Sequence, residues 1–429
     1  MASKPSTPIG ILPHSAHLES IPKADFEAHR ADAKARVLDA ASFKAMQSFL
    51  LNYYDGMEIE QSFADDAGQV FDCVPIHQQP SIKGTNKTLA TAPDLSGLSS
   101  KGAGASAENA VVGPFGLGRL DRHGNAMGCP PGTIPLRRIT LDQLARFPTL
   151  NDFHTKRPRR LNPLGRPDPI GRPAPASVTD GHLHAQANQV VGNTGGHSFL
   201  ALAAPVVGDN QFSLSQHWYT AGSGSALQTA EVGWMVSQTW WGTTQPILFV
   251  YWTNNGYDPS NPGAYNLSQS GQPGFQQTNS AWGLGGALSP VSQVGGQQYE
   301  IEALVYLYQG NWWLYLGGTS ASNAIGYWPT SLYNGGAMSV AADNCAWGGE
   351  IYSAANPQPP MGEGNFASAG WLQAAYHRDI YYFPSNGGSA QWAQLSPYAT
   401  APSLYTIATS SAADPWNVYF FYGGPGGNL

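Results

Sequence analysis

An all-β domain, an antiparallel β-sandwich of two packed sheets preceded by a mixed α+β region, is what this sequence predicts. Three observations carry it. All 13 Trp and only one of the 21 Lys and Arg (Arg378) lie in residues 181–429, so that half is formally −9 and residues 1–180 are +2. The second half consists of short β-branched and aromatic runs separated by Gly, Asn, Ser and Pro clusters, as in a sandwich or barrel. Between the halves, residues 155–178 combine five Arg with six Pro, a composition that packs no core and reads as an exposed linker. The domain boundary is therefore set at 180/181.

In chain order, residues 24–50 have helical spacing with mixed charge on the outer face. From about 80 to 128 the chain is polar and rich in Gly and Ser, with SGLSSKGAGASAENA the clearest loop. GTIPLRRIT then reads as a strand and LDQLARF as a short helix. Beyond the linker, QFSLSQHWYT, PILFVYWTN, YEIEALVYLY, NWWLYLGG, RDIYYF and PSLYTIATS read as strands. YLYQGNWWLYL is a hairpin turning at Gln309, Gly310 and Asn311. No alternating βαβ pattern is present, which excludes a doubly wound fold.

Composition also excludes functions. A nearly cation-free acidic domain is a poor nucleic-acid partner, because phosphate affinity comes mainly from Lys and Arg. With few ion pairs to lose, it is expected to tolerate acid, which suits a secreted or extracytoplasmic protein in an acidic milieu. No apolar run is long enough for a membrane span, and the first residues show no hydrophobic signal core. The sequons at Asn86 and Asn266 matter only in a secretory pathway that glycosylates.

Two carboxylates stand out. Glu231 heads the apolar run TAEVGWMVSQTWW, and Glu350 lies in NCAWGGEIYS. On a strand, side chains alternate between faces, so Glu231 shares its face with Gly233 and Glu350 with Gly348. Glycine leaves room for a ligand or another backbone to approach, and a substrate groove between two acids needs such room. A lone strand Glu is more often an exposed side chain. Glu300 and Glu302 are a rival pair, for which a solvated edge is the expectation. His182 and His184 have weak metal-pair spacing without a third ligand, so neither a metal nor a cofactor is expected. Nucleophile-elbow, zincin and P-loop motifs are absent from the sequence.

The chain resembles the neprosin-type glutamic endopeptidases. FDCVPIHQQPSIKG and GCPPGTIPLRRITLDQL carry the likeness in the first half. FSLSQHW, AEVGWMV, FVYWTNNGY, GALSPVSQVGGQQYEI, GNWWLYLG, IGYWPTSLY and WGGEIYS carry it in the second. The resemblance implies that Glu231 and Glu350 are the catalytic pair, and that Gln216 is their polar partner. It implies a protease acting at acidic pH after proline, made as a zymogen with its own N-terminal region as inhibitor. It offers Cys73 and Cys129, which match cysteines of the activation region, as a pair, leaving Cys345 odd. Plant-type members carry two cysteines around the YNL segment, where this chain has none.

The expected mechanism is an activated water without a covalent intermediate, one glutamate ionised and the other protonated. Glu231 as base and Glu350 as acid is one assignment, which the sequence does not decide. Gln216 would help hold the oxyanion, a role typically worth ~2.7–4 kcal/mol. Trp234, Trp252 and Trp347 are the substrate-binding candidates, flat walls for a proline ring. The alternatives are a retaining glycoside hydrolase and a non-catalytic carbohydrate-binding sandwich with Trp stacking platforms.

Overall fold

The protein is described by a computed structural model over residues 8–97, 109–113, 119–156, 181–258, 263–269 and 273–429. The N-terminal region contains helices α1 (His14–Ser20), α2 (Phe26–Arg30) and α3 (Ala40–Tyr54), then strands β1 (Gln61–Ala64), β2 (Val70–Pro75), β3 (Asn109–Val111) and β4 (Thr133–Arg137), and helices α4 (Leu141–Leu144) and α5 (Leu150–His154). The helical pattern over 24–50 is thus split. Asp39 starts a new helix by accepting from the Ser42 N–H, while the Arg36 and Val37 N–H groups donate to Ala145 O instead of to a helix. Strands β1, β2 and β4 form a small antiparallel sheet, fastened to the loop that leads into β4 by a disulfide between Cys73 and Cys129. Cys345 is a free, buried thiol.

The second half opens with β5 (His182–Ala201), followed by β6 (Phe212–Ala221), β7 (Gln228–Val236), helix α6 (Gln238–Trp241), β8 (Ile247–Thr253), β9 (Ala264–Tyr265) and β10 (Gln276–Gln277). Then come β11 (Gln298–Tyr308), β12 (Asn311–Leu316), β13 (Ala324–Pro329), β14 (Ala342–Tyr352) and β15 (Ala375–Pro384). Short strands β16 (Gln391–Trp392), β17 (Ser396–Ala399), β18 (Thr406–Ser411) and β19 (Val418–Gly423) close the chain. The β11–β12 turn is as expected, with Gln309 at φ 48° and Gly310 at φ 75°, the two positive values of a type I′ hairpin.

The two expected sheets share one strand. The first half of β5 pairs with β14 and β17, in a sheet continuing through β6, β7, β8 and β9. Its second half pairs with β11 and β15, in a sheet continuing through β12, β13 and β10. The result is one large curled antiparallel sheet folded on itself. Tyr219 of β6 stacks on Trp312 of β12 across the fold, and the Trp234 indole N–H donates to Ala201 O.

Glu300, expected at a solvated edge, is instead fully buried, bound by the Arg378 guanidinium, the Tyr376 hydroxyl and the Asn109 amide. Arg378, the single cation of its half, is inside the protein because an acid is there to meet it. Glu302 is half-buried and faces His197 at 3.2 Å.

The N-terminal region lies on the other face of β14, β6, β7 and β8. Its side chains reach carbonyls of the second half: Tyr53 to Leu267, Gln79 to Gln277, Gln143 to Trp240 and Arg146 to Gln238. Strand β3 pairs in parallel with β11. The expected linker behaves otherwise at its start, since Thr155 and Lys156 are both only 2% exposed. Residues 157–178 of that expectation lie outside the described residues, as does most of the loop at 96–110. Asn266 is buried, and its amide oxygen accepts from the Val250 N–H, so the folded chain does not present that sequon.

Candidate active site

The register of three neighbouring strands decides which side chains meet. Glu350 on β14 is opposite Leu214 on β6, and Glu231 on β7 is opposite Trp218 on β6. Gln216 lies midway, opposite Gly348 on one side and Gly233 on the other. The two glutamates are therefore diagonal across β6, on one face, with Gln216 between them.

The glycines make room for neighbouring strands rather than for substrate. A Cβ on Gly233 would lie 2.0 Å from Ser215 O and 2.5 Å from the Gln216 Cβ. One on Gly348, at φ +148°, would lie 2.4 Å from Ala185 O.

Both carboxylates converge on a single cation from the N-terminal region. The Lys156 Nζ is 2.5 Å from Glu231 Oε2 and 3.1 Å from Glu350 Oε2, and it donates to Gln216 Oε1 at 3.1 Å. Gln216 Nε2 donates in turn to Glu231 Oε2 at 2.7 Å. The ammonium also lies 5.6 Å from the Trp218 ring centre. The other oxygen of each carboxylate is anchored. Glu231 Oε1 accepts from Tyr257 OH at 2.5 Å and Thr229 Oγ1 at 2.8 Å. Glu350 Oε1 meets His182 Nδ1 at 2.6 Å, with His184 Nε2 at 3.7 Å. Glu231 is fully buried and Glu350 is 4% exposed.

Burial alone would push the Glu350 carboxyl up. The Lys156 ammonium, His184 and His182 outweigh it and hold the group well below the usual carboxylate range. The nearby Tyr265 hydroxyl is pushed well up by its burial, with Tyr251 and both glutamates adding to the effect.

The three tryptophan candidates are elsewhere. Trp234 and Trp347 each lie three residues from a site glutamate, so period-two alternation turns them into the core between the sheets, both fully buried. Trp252 pairs with Ala230, on that same core side. The aromatic residue beside the carboxylates is Trp218. The ring walls under the N-terminal region are Trp240, against Phe147, and Trp241, against Tyr265. Their indole N–H groups, both buried, have no hydrogen-bond partner. His182 and His184, read from sequence as a weak metal pair, instead face Glu350.

Sequence reasoning missed Lys156, Trp218, Thr229 and Tyr257. Only pairing register reveals Trp218, whereas Thr229, two residues before Glu231 on β7, follows from period-two alternation. Tyr257 leaves β8 through a left-handed turn at φ 60°, which brings its hydroxyl back to the site.

The Neprosin family model matches residues 209–425. The chain belongs to the neprosin family. Among solved structures, two of scytalido-glutamic peptidase, each complexed with a transition-state analogue, match this neprosin-family chain at 8% and 10% identity, each with a TM-score of 0.28. They cover 57% and 56% of it and 97% of their own chains. SCP-B, an Eqolisin-family peptidase complexed with the tripeptide Ala-Ile-His, matches at 9% identity and a TM-score of 0.25, covering 57% of this chain and 97% of its own. Likenesses this slight carry no argument. Neprosin membership, in contrast, supports a peptidase of the glutamic type.

Proposed function

We propose that this protein is a latent, acid-acting glutamic endopeptidase in which Glu231 and Glu350 activate a water held between them. The observation that carries the reading is the convergence of both carboxylates on one nitrogen. A position within hydrogen-bond reach of both acids and of Gln216 suits an attacking water. Gln216 Nε2, already directed into that space, is the oxyanion donor of the proposal.

In the same proposal, residues 1–180 are the inhibitor of residues 181–429, and Lys156 is the contact that silences the site. Its ammonium occupies the water's position and ties up one oxygen of each acid. Preference for cleavage after proline follows from family resemblance and is supported by the flat indoles of Trp240 and Trp241. Their unpartnered N–H groups are available to substrate carbonyls once the N-terminal region departs. The Cys73–Cys129 disulfide supports an oxidising, extracytoplasmic setting. No described helix is long and apolar enough to cross a membrane. A carbohydrate-binding role loses support because ten of the 13 tryptophans are buried and offer no stacking platform.

The test is incubation of the full chain at about pH 3 with a proline-containing peptide, alongside Glu231→Gln and Glu350→Gln. Wild type is expected to convert to a fragment the size of residues 181–429 and to cleave the peptide, whereas each variant loses at least about 10³-fold in kcat/KM. An oligosaccharide cleaved in place of the peptide would overturn the proposal, as would an unconverted chain with full activity.

A further inference from the structure

The two carboxylates are anchored by different chemistry. Glu231 Oε1 rests on two hydroxyls, Tyr257 and Thr229. A hydroxyl donates to a carboxylate and accepts from a protonated carboxyl, so this support serves either form. Glu350 Oε1 rests on an imidazole, His182 Nδ1. An imidazole ordinarily gains its proton below about pH 6.5, and an imidazolium beside a carboxylate favours the charged form. The His182 ring is clamped against Tyr352 (4.9 Å between centres) and Phe212 (5.7 Å), so its direction is set by packing.

The other groups facing Glu350 sharpen the asymmetry. His184 approaches the same oxygen from β5. Lys156 approaches from the segment after α5, Glu231 from β7 and the Tyr265 hydroxyl from β9. The β6 neighbour between the acids is the neutral Gln216, and β17 brings no charged residue. When Lys156 departs, Glu231 keeps hydrogen bonds from Tyr257, Thr229 and Gln216, all neutral, while Glu350 keeps two imidazoles beside it.

We infer that His182 is a positioning residue that keeps Glu350 ionised in acid, making Glu350 the base and Glu231 the acid of the pair. This rests on the peptidase reading above. The Glu350 carboxylate takes a proton from water as the water oxygen bonds to the substrate carbonyl carbon, and the Glu231 carboxyl gives its proton to the carbonyl oxygen. The C–N bond then breaks. Glu350 returns its proton to the departing amine, and a hydroxyl of the intermediate returns one to Glu231. Both glutamates end as they began.

The experiment is the pH profile of kcat/KM for the acid-converted full chain, comparing wild type with His182→Gln and His184→Gln. Glutamine can still donate to Glu350 but cannot carry the charge. For H182Q the acid limb is expected to move up by about one pH unit, with kcat near pH 3 down roughly tenfold and KM within about twofold. For H184Q, at the longer distance, a smaller shift in the same direction is expected. An acid limb unmoved in H182Q, while E231Q and E350Q are inactive, overturns the inference and leaves the peptidase reading intact. Full activity in E231Q or E350Q would instead remove the reading itself. Should H182Q not fold, carbon-13 titration of the wild-type glutamate carboxyls, assigned through E231Q and E350Q, decides the matter. Glu350 protonated and Glu231 ionised at about pH 4 would overturn the inference.

Discussion

Lys156 is an ammonium with almost no water around it, held by two carboxylates and an amide. Removing one partner from such a buried ionic cluster is strongly destabilising, typically by ~3–5 kcal/mol, because the charges left behind are uncompensated. In Lys156→Met the methionine fills the space, and the two glutamates are left facing each other. They can relieve the repulsion only by sharing a proton or by letting water in, and water enters most easily if the N-terminal region lifts. The expected outcome is that K156M converts to the shorter form at a higher pH than wild type. A gel time course across a pH series reads this, and a conversion profile identical to wild type would count against Lys156 as the silencing contact.

At the level of strands, the site is a product of register. Gly233 and Gly348 flank Gln216; the missing side chain of Gly233 lets β7 close on β6, and that of Gly348 lets β14 close on β5. Gly348→Ala must place a Cβ against Ala185 O from a backbone conformation that L residues rarely adopt. The expected loss is about 2–3 kcal/mol of stability by denaturant titration, with peptidase activity falling further because Glu350 is two residues away. The same strands explain what was legible beforehand. The runs QFSLSQHWYT, PILFVYWTN and NWWLYLGG declare themselves by composition, and Glu231 and Glu350 by being acids in apolar surroundings. Period two, applied consistently, also turns Trp234 away from Glu231 and Trp347 away from Glu350. What no single strand records is its neighbour. Trp218 enters the site because it is paired with Glu231, and Glu300 is buried because Arg378 arrives from 78 residues further along the chain. Lys156 was hidden for a different reason, because its Arg- and Pro-rich surroundings signal exposure while its own side chain is inserted.

Across the whole molecule, buried titratable groups oppose one another as pH falls. His377 is buried neutral between Ser198 and Ser215, and burial pulls it down to about 3. The unfolded chain takes up that proton near pH 6.5, so between about 6.5 and 3 the unfolded state binds more protons and stability declines as pH falls. His217 beside it, lowered chiefly by burial and then by His377 and His197, acts in the same sense. These groups work against the acid tolerance expected from the scarcity of ion pairs. Glu363 and Asp379 work for it. Burial raises them to about 7 and about 6, so their contribution is present in acid and lost as pH rises through those values. His377→Asn is therefore expected to flatten the acid side of the stability profile, gaining up to about 5 kcal/mol relative to wild type at its extreme. Thermal melts from pH 7 down to pH 3 test this, and equal slopes in both proteins would contradict it. In the N-terminal region His154 is likewise buried and lowered to about 4, and His17 to about 4 by burial together with Arg138 and His14. Their cost rises over the same window, before protonation reaches Glu350, whose carboxyl is held lower still. Under the proposed latency, acid would loosen the packing around Lys156 before it dissolves the ion pair itself.

Residues 156 and 182 grip the same carboxylate, so the intervening chain leaves Glu350 and returns to it. While that chain is whole, the lysine is tethered, and tethering of this kind gives an effective concentration on the order of millimolar. Once the connection is severed, the lysine must find its glutamates as a separate molecule. Under the proposed latency, dilution into a large volume then favours the open enzyme, whereas a confined compartment would let the severed piece rebind.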